Sequence, residues 1–504
     1  MNKSFGPVHA NKNVSLTVAP GTIHGIVGEN GAGKSTLMSI LYGLYEADSG
    51  EIRVAGRPLQ IHSTHDAIAA GIGMVHQHFM LVEPFTVLEN VVLGAEGGPL
   101  LAKGLQAARR ELERLEREYG LEVEVDAVVG SLPVGLRQRV EILKALYRGA
   151  EILILDEPTG VLTPQETDRL FRIFTALRDQ GVTVILITHK LREILAVTDN
   201  VSVMRGGEMV AHRKTADTTT AELAELMVGR KVLLRVEKVE VQPGPKVLEV
   251  EDLTVRDTDG VARVDNASFF VRAGEIVGIA GVSGNGQSEL LEAISGIRPI
   301  DQGTVTVNGT AANQEHPRDA RAMRRLQLAH VPEDRQRMGL VMAFEAQESA
   351  ILGYHMDAAY NHHIVMDRKA ILDDCAAKMV DFDVRPSDPY LKSESLSGGN
   401  QQKLVLAREL ARIPHVLLAG QPTRGVDIGA IEFIHRNLVA LRDAGSAVLL
   451  VSVELDEIMS LSDRILVMFE GRIVGEVAAG EADERTLGLM MANVVPDQAE
   501  TARP

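Results

Sequence analysis

The chain has 504 residues, 45% of them hydrophobic, which is enough to fill the cores of two or more domains. Its formal net charge of −17, from 52 basic and 69 acidic residues, argues against a nucleic-acid binder, which presents a basic surface. Cys375 is the single cysteine, which excludes a disulfide framework and a cysteine zinc site and fits a reducing cytoplasm. Met1–Phe5 opens no signal peptide, and no apolar run approaches the ~20 residues of a membrane span. Any work at a membrane is therefore expected to go through partners.

In chain order, Thr22-Ile23-His24-Gly25-Ile26-Val27 predicts a buried strand feeding Gly28-Glu29-Asn30-Gly31-Ala32-Gly33-Lys34-Ser35, and Thr36–Leu41 begins a helix. That loop is a phosphate-binding P-loop. Its glycines let backbone N–H groups close around phosphate oxygens, Lys34 reaches the β- and γ-phosphates, and the helix N-terminus faces the anion. A bare match could be a glycine-rich turn; the strand–loop–helix order removes most of that alternative. Further on, Leu105, Ala108, Leu112, Leu115 and Tyr119 recur at helical spacing among dense charge, the core face of a helical subdomain. The apolar strand Ile152–Leu155 ends in Asp156-Glu157, and Ile187-Thr188-His189 closes another β-rich run. Singly, Asp156-Glu157 could be a solvated strand end, His189 a structural histidine, and Gln77 carries almost no signal. Their order and spacing behind the P-loop make them one set. His76 and His78 flank Gln77, but two residues of an extended segment do not make a metal site.

The chain then repeats its plan. Gly281-Val282-Ser283-Gly284-Asn285-Gly286-Gln287-Ser288 restates the P-loop 253 residues on, with Gln287 in place of Lys34. Glutamine can donate a hydrogen bond but cannot neutralise an anion. Leu132-Pro133-Val134-Gly135-Leu136 returns as Leu396-Ser397-Gly398-Gly399-Asn400, and Ile152–Thr159 as Val416–Thr423, both 264 residues on. Pro243-Gly244-Pro245 marks a linker at 229–246 between domains at 1–228 and 247–493, with a polar tail at 494–504. The strand-like run Val247–Leu253 has no counterpart, since 253 residues earlier lies before Met1. Either the first domain lacks that edge strand or the start was assigned too late. The second is the expectation, which a native N-terminal peptide beginning at Met1 would refute.

With P-loop, signature loop and acidic strand in this order, and twice, the whole chain except its tail resembles an ABC-type ATPase with two fused nucleotide-binding domains. More narrowly it is similar to the ATP-binding subunits of bacterial importers for nucleosides and simple sugars. Gly73–Met80 and Gln421-Pro422-Thr423-Arg424-Gly425 resemble the nucleoside branch; sugar-importing relatives more often keep Asp-Glu in the second acidic strand. The resemblance implies an α/β fold, with two tandem P-loop domains. Each has a RecA-like core, an antiparallel β subdomain and a helical signature subdomain. It also implies ATP and Mg²⁺ as cofactors. Lys34 and the amides of Gly28, Asn30, Gly31 and Gly33 neutralise phosphate charge, Ser35 ligates the metal, Thr36 holds the α-phosphate, and Asp156 holds the metal through water. Glu157 is the base or water-positioner, His189 touches the γ-phosphate, Gln77 senses metal and water, and Phe5 stacks on adenine.

In this family each ATP sits between one P-loop and the opposite signature loop. The second domain has lost the lysine (Gln287), the acidic pair (Gly420, Gln421) and the histidine (Val453), and Glu333 stands where Gln77 stands. The first domain has Pro133 and Leu136 in its signature loop. All these defects fall in one composite site, while the other combines the first set with Ser397, Gly398, Gly399 and Asp427. The expectation is one hydrolytic site and one structural or regulatory site, in a peripheral ATPase on the cytoplasmic face of the inner membrane. Its partners are a pair of permease subunits, gripped near Phe79–Asn90, and an extracytoplasmic solute-binding protein. The rival readings are a simple-sugar importer and a soluble twin-domain ABC protein acting on ribosomes, the latter usually with two working sites and a long charged linker. A DNA-repair ABC ATPase needs zinc cysteines that are missing here, and a nucleotide-binding scaffold would need an inert first site.

Overall fold

The structure is a computed structural model, which describes residues 1–6, 8–76, 79–95, 101–159, 162, 164–188, 190–231, 236, 238–239, 241–282, 284–362, 365–426 and 428–493. It divides into two compact units, Met1–Val232 and Leu233–Pro504.

The first unit contains β1 (Lys3–Phe5), β2 (Val8–Asn11), β3 (Ile23–Gly28), β4 (Ile52–Val54), β5 (Arg57–Leu59), β6 (Ile72–Val75), β7 (Ile152–Asp156), β8 (Thr183–Ile187), β9 (Asn200–Arg205) and β10 (Glu208–Lys214). Six of these form one sheet in the order β10-β9-β3-β8-β7-β6, parallel except for β10. Strands β3, β6 and β8 are buried at every residue, which is why their sequences read as continuous apolar runs rather than alternating ones. Ile26, Leu37, Met38, Met74, Ile154 and Ile187 pack the helix Lys34–Leu41 onto this sheet. In the helical part, Ala108, Leu112 and Leu115 of the helix Leu101–Tyr119 are buried, as the apolar stripe requires.

The second unit contains β11 (Lys246–Arg256), β12 (Ala262–Arg272), β13 (Ile276–Ala280), β14 (Gln302–Val307), β15 (Thr310–Asn313), β16 (Leu328–Val331), β17 (Asn361–His362), β18 (Val365–Met366), β19 (Val416–Gly420), β20 (Ala447–Ser452), β21 (Arg464–Phe469) and β22 (Arg472–Ala478). Its main sheet, β16-β19-β20-β13-β21-β22, repeats the order of the first. The units differ in their antiparallel parts. The second has a four-stranded sheet, β12-β11-β14-β15, whereas the first has the pairs β1-β2 and β4-β5 and a bridge from Asn2 to Ser49. Residues 12–19, the opposite numbers of the part of β12 that pairs with β11, form no strand.

The helix Thr220–Val228 stops at Gly229, whose φ of 82° supplies the left-handed cap that favours glycine. Beyond it, Lys238 Nζ donates to the carbonyls of Leu461 and Ser462, and Arg442 Nη1 donates to Val239 O, all within the second unit. Cys375 is buried as a free thiol. No helix among the described residues is long and apolar enough to cross a membrane.

Candidate functional site

In both units the motifs lie at the carboxyl ends of the parallel strands, where an open α/β sheet binds its ligand. In the first unit, β3 ends at Gly28 and the helix begins at Lys34, with Gly31 and Gly33 at φ 80° and 97°. A Cβ on Gly28 would stand 2.4 Å from Met204 O, and one on Gly33 would stand 2.2 Å from Ala10 O. The loop is thus clamped by backbone on two sides, and β2 with its hairpin lies against it; Asn11 Nδ2 donates to Gly33 O. A Cβ on Gly31 would meet open space. Lys34 is buried, and its Nζ donates to Gly28 O at 2.7 Å and Glu29 O at 3.0 Å. Burial pulls its pKa down, opposed by the charges of Glu157, Asp156 and Glu29.

Asp156 and Glu157 lie at the end of β7 beside this loop. Burial raises the Asp156 pKa, with Glu157 adding to it, while a hydrogen bond from the Ser35 hydroxyl and the Lys34 charge oppose the rise. Lys34, Ser35, Asp156 and Glu157 therefore form one cluster. Glu157 holds φ at 48°, a left-handed backbone conformation, with its N–H donating to Ile187 O at 2.9 Å. Two residues later Thr159 donates to Glu193 Oε1 at 2.6 Å, and Thr188 donates to Glu193 Oε2 at 3.1 Å. Glu193 is a positioning residue that the sequence motifs do not reveal. It braces the segments carrying Glu157 and His189 against each other.

A hydroxyl beside a buried carboxylate at a P-loop suits Mg²⁺, which keeps most of its coordination for phosphate oxygens and water. Among the described residues no group of three His, Cys, Asp or Glu could hold an ion by itself. Thr36 follows Ser35 in the first turn and is half-buried, and Asn30 is exposed at the loop's tip. Phe5 is 43% exposed on β1, edge-on to Tyr45 at 5.3 Å. Gln77, His189 and Asp427 lie outside the described residues. Among the described residues, Met80 N–H donates to Glu141 Oε1 at 2.5 Å and Lys144 Nζ donates to Met80 O at 2.9 Å. His76, Tyr42, Met80, Glu141 and Arg148 line a cavity of about 110 Å³ there.

The second unit keeps the loop and changes its chemistry. Gly284 and Gly286 hold φ at 92° and 94°. Gln287 is buried, and its Nε2 has no hydrogen-bond partner. Gln421 repeats the Glu157 backbone at φ 46°, but its Oε1 accepts from Val453 N–H at 3.3 Å. Ser397 directly precedes the helix Gly398–Leu410 without a side-chain capping bond, and its Oγ accepts from Asn400 Nδ2 at 2.9 Å, leaving the hydroxyl proton for another acceptor. Pro133 occupies the matching position before the helix Val134–Tyr147 and offers no hydroxyl. Arg335 donates through Nη1 to Arg424 O at 2.7 Å, with its Nη2 2.6 Å from where a Cβ of Gly398 would be. No signature motif predicts that cation beside the loop.

Fold and site together define a twin P-loop ATP-binding protein, whose second loop carries Gln287 where the first carries Lys34. The ABC transporter family matches residues 11–160 and 264–424, and the chain belongs to that family. It is 47% identical to a guanosine import ATP-binding protein, NupO, of Bacillus subtilis (strain 168), over all of this chain and 98% of the relative. It is 46% identical to a nucleoside import ATP-binding protein, NupA, of Lactococcus lactis subsp. cremoris (strain MG1363), over 97% of this chain and 96% of the relative. A glucose import ATP-binding protein, TsgD13, of Haloferax volcanii is 45% identical over 97% of this chain and 94% of its own length. A solved structure described as RNase-L Inhibitor covers 92% of this chain and 87% of its own, at TM-score 0.61 and 20% identity, a likeness of fold alone.

Proposed function

We propose that this chain is the ATP-hydrolysing subunit of an importer that drives nucleosides through partner permease subunits, turning over at the Lys34 site and not at the Gln287 site. The observation that carries the reading is the cluster Lys34–Ser35–Asp156–Glu157 in the first unit. The second unit has Gln287, Gly420 and Gln421 at the corresponding positions. Lys34 and the loop amides hold the β- and γ-phosphates, Thr36 the α-phosphate, and Phe5 the adenine. Glu157 orients the attacking water with Gln77 and His189. Ser35 and Asp156 hold Mg²⁺, which neutralises charge developing on the phosphates. Ser397, Gly398, Gly399 and Asp427 complete the site from the second domain. This assignment takes the domains as 1–228 and 247–493, joined by 229–246.

Two exposed apolar side chains on the segment Phe79–Asn90, Met80 (59% exposed) and Phe85 (38%), support permease docking there. In this reading the protein is peripheral to the inner membrane, on its cytoplasmic face, and an extracytoplasmic solute-binding protein delivers the solute. The nucleoside assignment rests on the two nucleoside relatives; the glucose relative supports the sugar reading as the alternative. The test is uptake of labelled purine nucleosides and of ribose in cells lacking the gene, complemented with wild type or Glu157→Gln. Nucleoside uptake restored by wild type alone supports the proposal. Restored ribose uptake instead moves the chain to the sugar branch, and transport with Glu157→Gln refutes the site.

A further inference from the structure

The second unit carries an arginine where the first carries a phenylalanine. Arg335 lies four residues past the end of β16, and Phe79 lies four past the end of β6. Arg335 opens a tight turn, Arg335–Gly339, in which the N–H groups of Gln336 and Arg337 donate to Asp334 Oδ1 at 3.0 Å each. The turn is firmly mounted. Before it, Glu333 Oε2 accepts the Ser288 hydroxyl at 2.5 Å, and a Cβ on Gly420 would stand 2.8 Å from Glu333 Cγ. Within it, Gln336 Nε2 donates to Gln401 Oε1 at 3.1 Å, and Gly339 O accepts from Arg408 Nη1 at 2.7 Å. Both of those partners belong to the helix Gly398–Leu410, which begins in the signature loop.

From this mount the Arg335 guanidinium bridges two segments. Its Nη1 donates to Arg424 O at 2.7 Å, in the stretch after β19 that runs on to Asp427. Its Nη2 lies 2.6 Å from where a Cβ of Gly398 would be and 3.6 Å from where one of Gly425 would be. A glycine at 398 is therefore what lets the guanidinium lie between the signature loop and residues 424–425. In the first unit Val134 stands where Gly398 stands, and Phe79 has no side-chain donor. Cation and glycine thus occur together in the unit whose signature loop has Ser397, and both are replaced in the unit that has Pro133. Fold stability does not call for this arrangement. Arg335 is half-buried and makes no ion pair among the described residues, and its Nε is buried with no hydrogen-bond partner there. Burial pulls its pKa down, opposed by the Asp334 charge and aided by that of Arg424. An under-paired cation costs stability, and proteins keep such costs where function needs them.

We propose that Arg335 is a positioning residue for ATP hydrolysis at the Lys34 site, locking the signature loop to the stretch that leads to Asp427. This deepens, and rests on, the reading of the chain as an ATPase whose Lys34 site is completed by Ser397, Gly398, Gly399 and Asp427. Removing the guanidinium frees the Arg424 carbonyl and opens a gap beside Gly398, so the two segments no longer move as one. Contacts that tighten only during turnover then weaken, while the nucleotide's contacts with Lys34 and its loop stay as they were.

The test uses the full chain, with steady-state ATPase kinetics and thermal unfolding. Arg335→Ala and Arg335→Gln should each lower kcat by about tenfold to a hundredfold with KM unchanged. Arg335→Lys keeps a cation that reaches a single acceptor and should recover part of kcat. A residue needed for folding alone would lower the melting temperature without this split between kcat and KM. Ser397→Ala supplies the second arm. Since Arg335 acts through the loop, Arg335→Ala should add little to the loss that Ser397→Ala already causes. Wild-type kcat in Arg335→Ala, a raised KM with kcat intact, or losses that multiply in the double variant overturn the proposal. Should Arg335→Ala fail to fold, Arg335→Gln and Arg335→Lys carry the same comparisons. Those results beside an inactive Glu157→Gln overturn this inference alone; turnover that survives in Glu157→Gln overturns the ATPase reading with it.

Discussion

Glu193→Ala tests whether a residue with no expected contact to ATP governs turnover. Glu193 is 8% exposed, and the hydroxyls it accepts from, Thr159 and Thr188, are 2% and 1% exposed. Truncation leaves two buried hydroxyls without their acceptor, at about 1–3 kcal/mol each, so the variant should lose about 2–6 kcal/mol. A unit of this size should melt roughly 2–4 °C lower per kcal/mol, a shift that a thermal unfolding scan resolves. Thr159 lies two residues after Glu157, and Thr188 directly precedes His189, so loosening both segments misplaces the attacking water. Lys34 and the loop amides, to which the proposal gives the nucleotide's phosphates, are untouched. ATPase kinetics below the melting temperature should therefore show kcat down by about tenfold or more with KM unchanged. Glu193→Gln keeps an oxygen and adds a donor, and should recover most of the stability and part of kcat. Wild-type kcat in a destabilised Glu193→Ala, or a rise in KM with kcat intact, refutes the bracing role.

Other expectations follow from the same geometry. Glu157→Gln should lower ATPase turnover by roughly 10²–10⁴-fold, and adding Gln421→Glu should not restore it, because Gln287 and Gly420 remain; steady-state phosphate release checks both. Gly33→Ala should abolish nucleotide binding in a filter or calorimetric assay, since its Cβ would lie 2.2 Å from Ala10 O at a φ of 97°. Burial lowers the pKa of His24, with help from His212, and of His330, each to about 4 from 6.5. Both histidines bind a proton more readily unfolded than folded, so stability is full above about pH 6.5 and falls as pH drops towards 4. Each should contribute a loss of about 2 kcal/mol between pH 7.5 and pH 5 in denaturant titrations, and His24→Gln should flatten the first unit's share.

The phosphate loops and the strand ending in Asp156-Glu157 were legible because each is contiguous in sequence, with its chemistry written in neighbouring residues. So was the buried stripe of the helix Leu101–Tyr119, since helical spacing alone selects a face. Glu193, Arg335 and the role of Glu333 were not. Each acts on a partner from another element, and nothing local distinguishes a carboxylate that reaches across a sheet from one that faces water. The sequence alignment of the two halves placed Glu333 opposite Gln77; that its side chain crowds Gly420 is visible only in the structure. The four-stranded sheet β12-β11-β14-β15 was partly legible through the run Val247–Leu253. The absence of a strand over residues 12–19 depends on pairing partners rather than on propensity.

The crowding at Gly420 also constrains how this protein can evolve. An aspartate arising there alone collides with the Glu333 side chain, while losing Glu333 first removes the carboxylate that accepts the Ser288 hydroxyl. Each single step carries a structural cost, a clash in one order and a lost hydrogen bond in the other, so a return to two matching halves needs both changes together. Packing thus couples positions 333 and 420, and neither can change alone without disturbing the other.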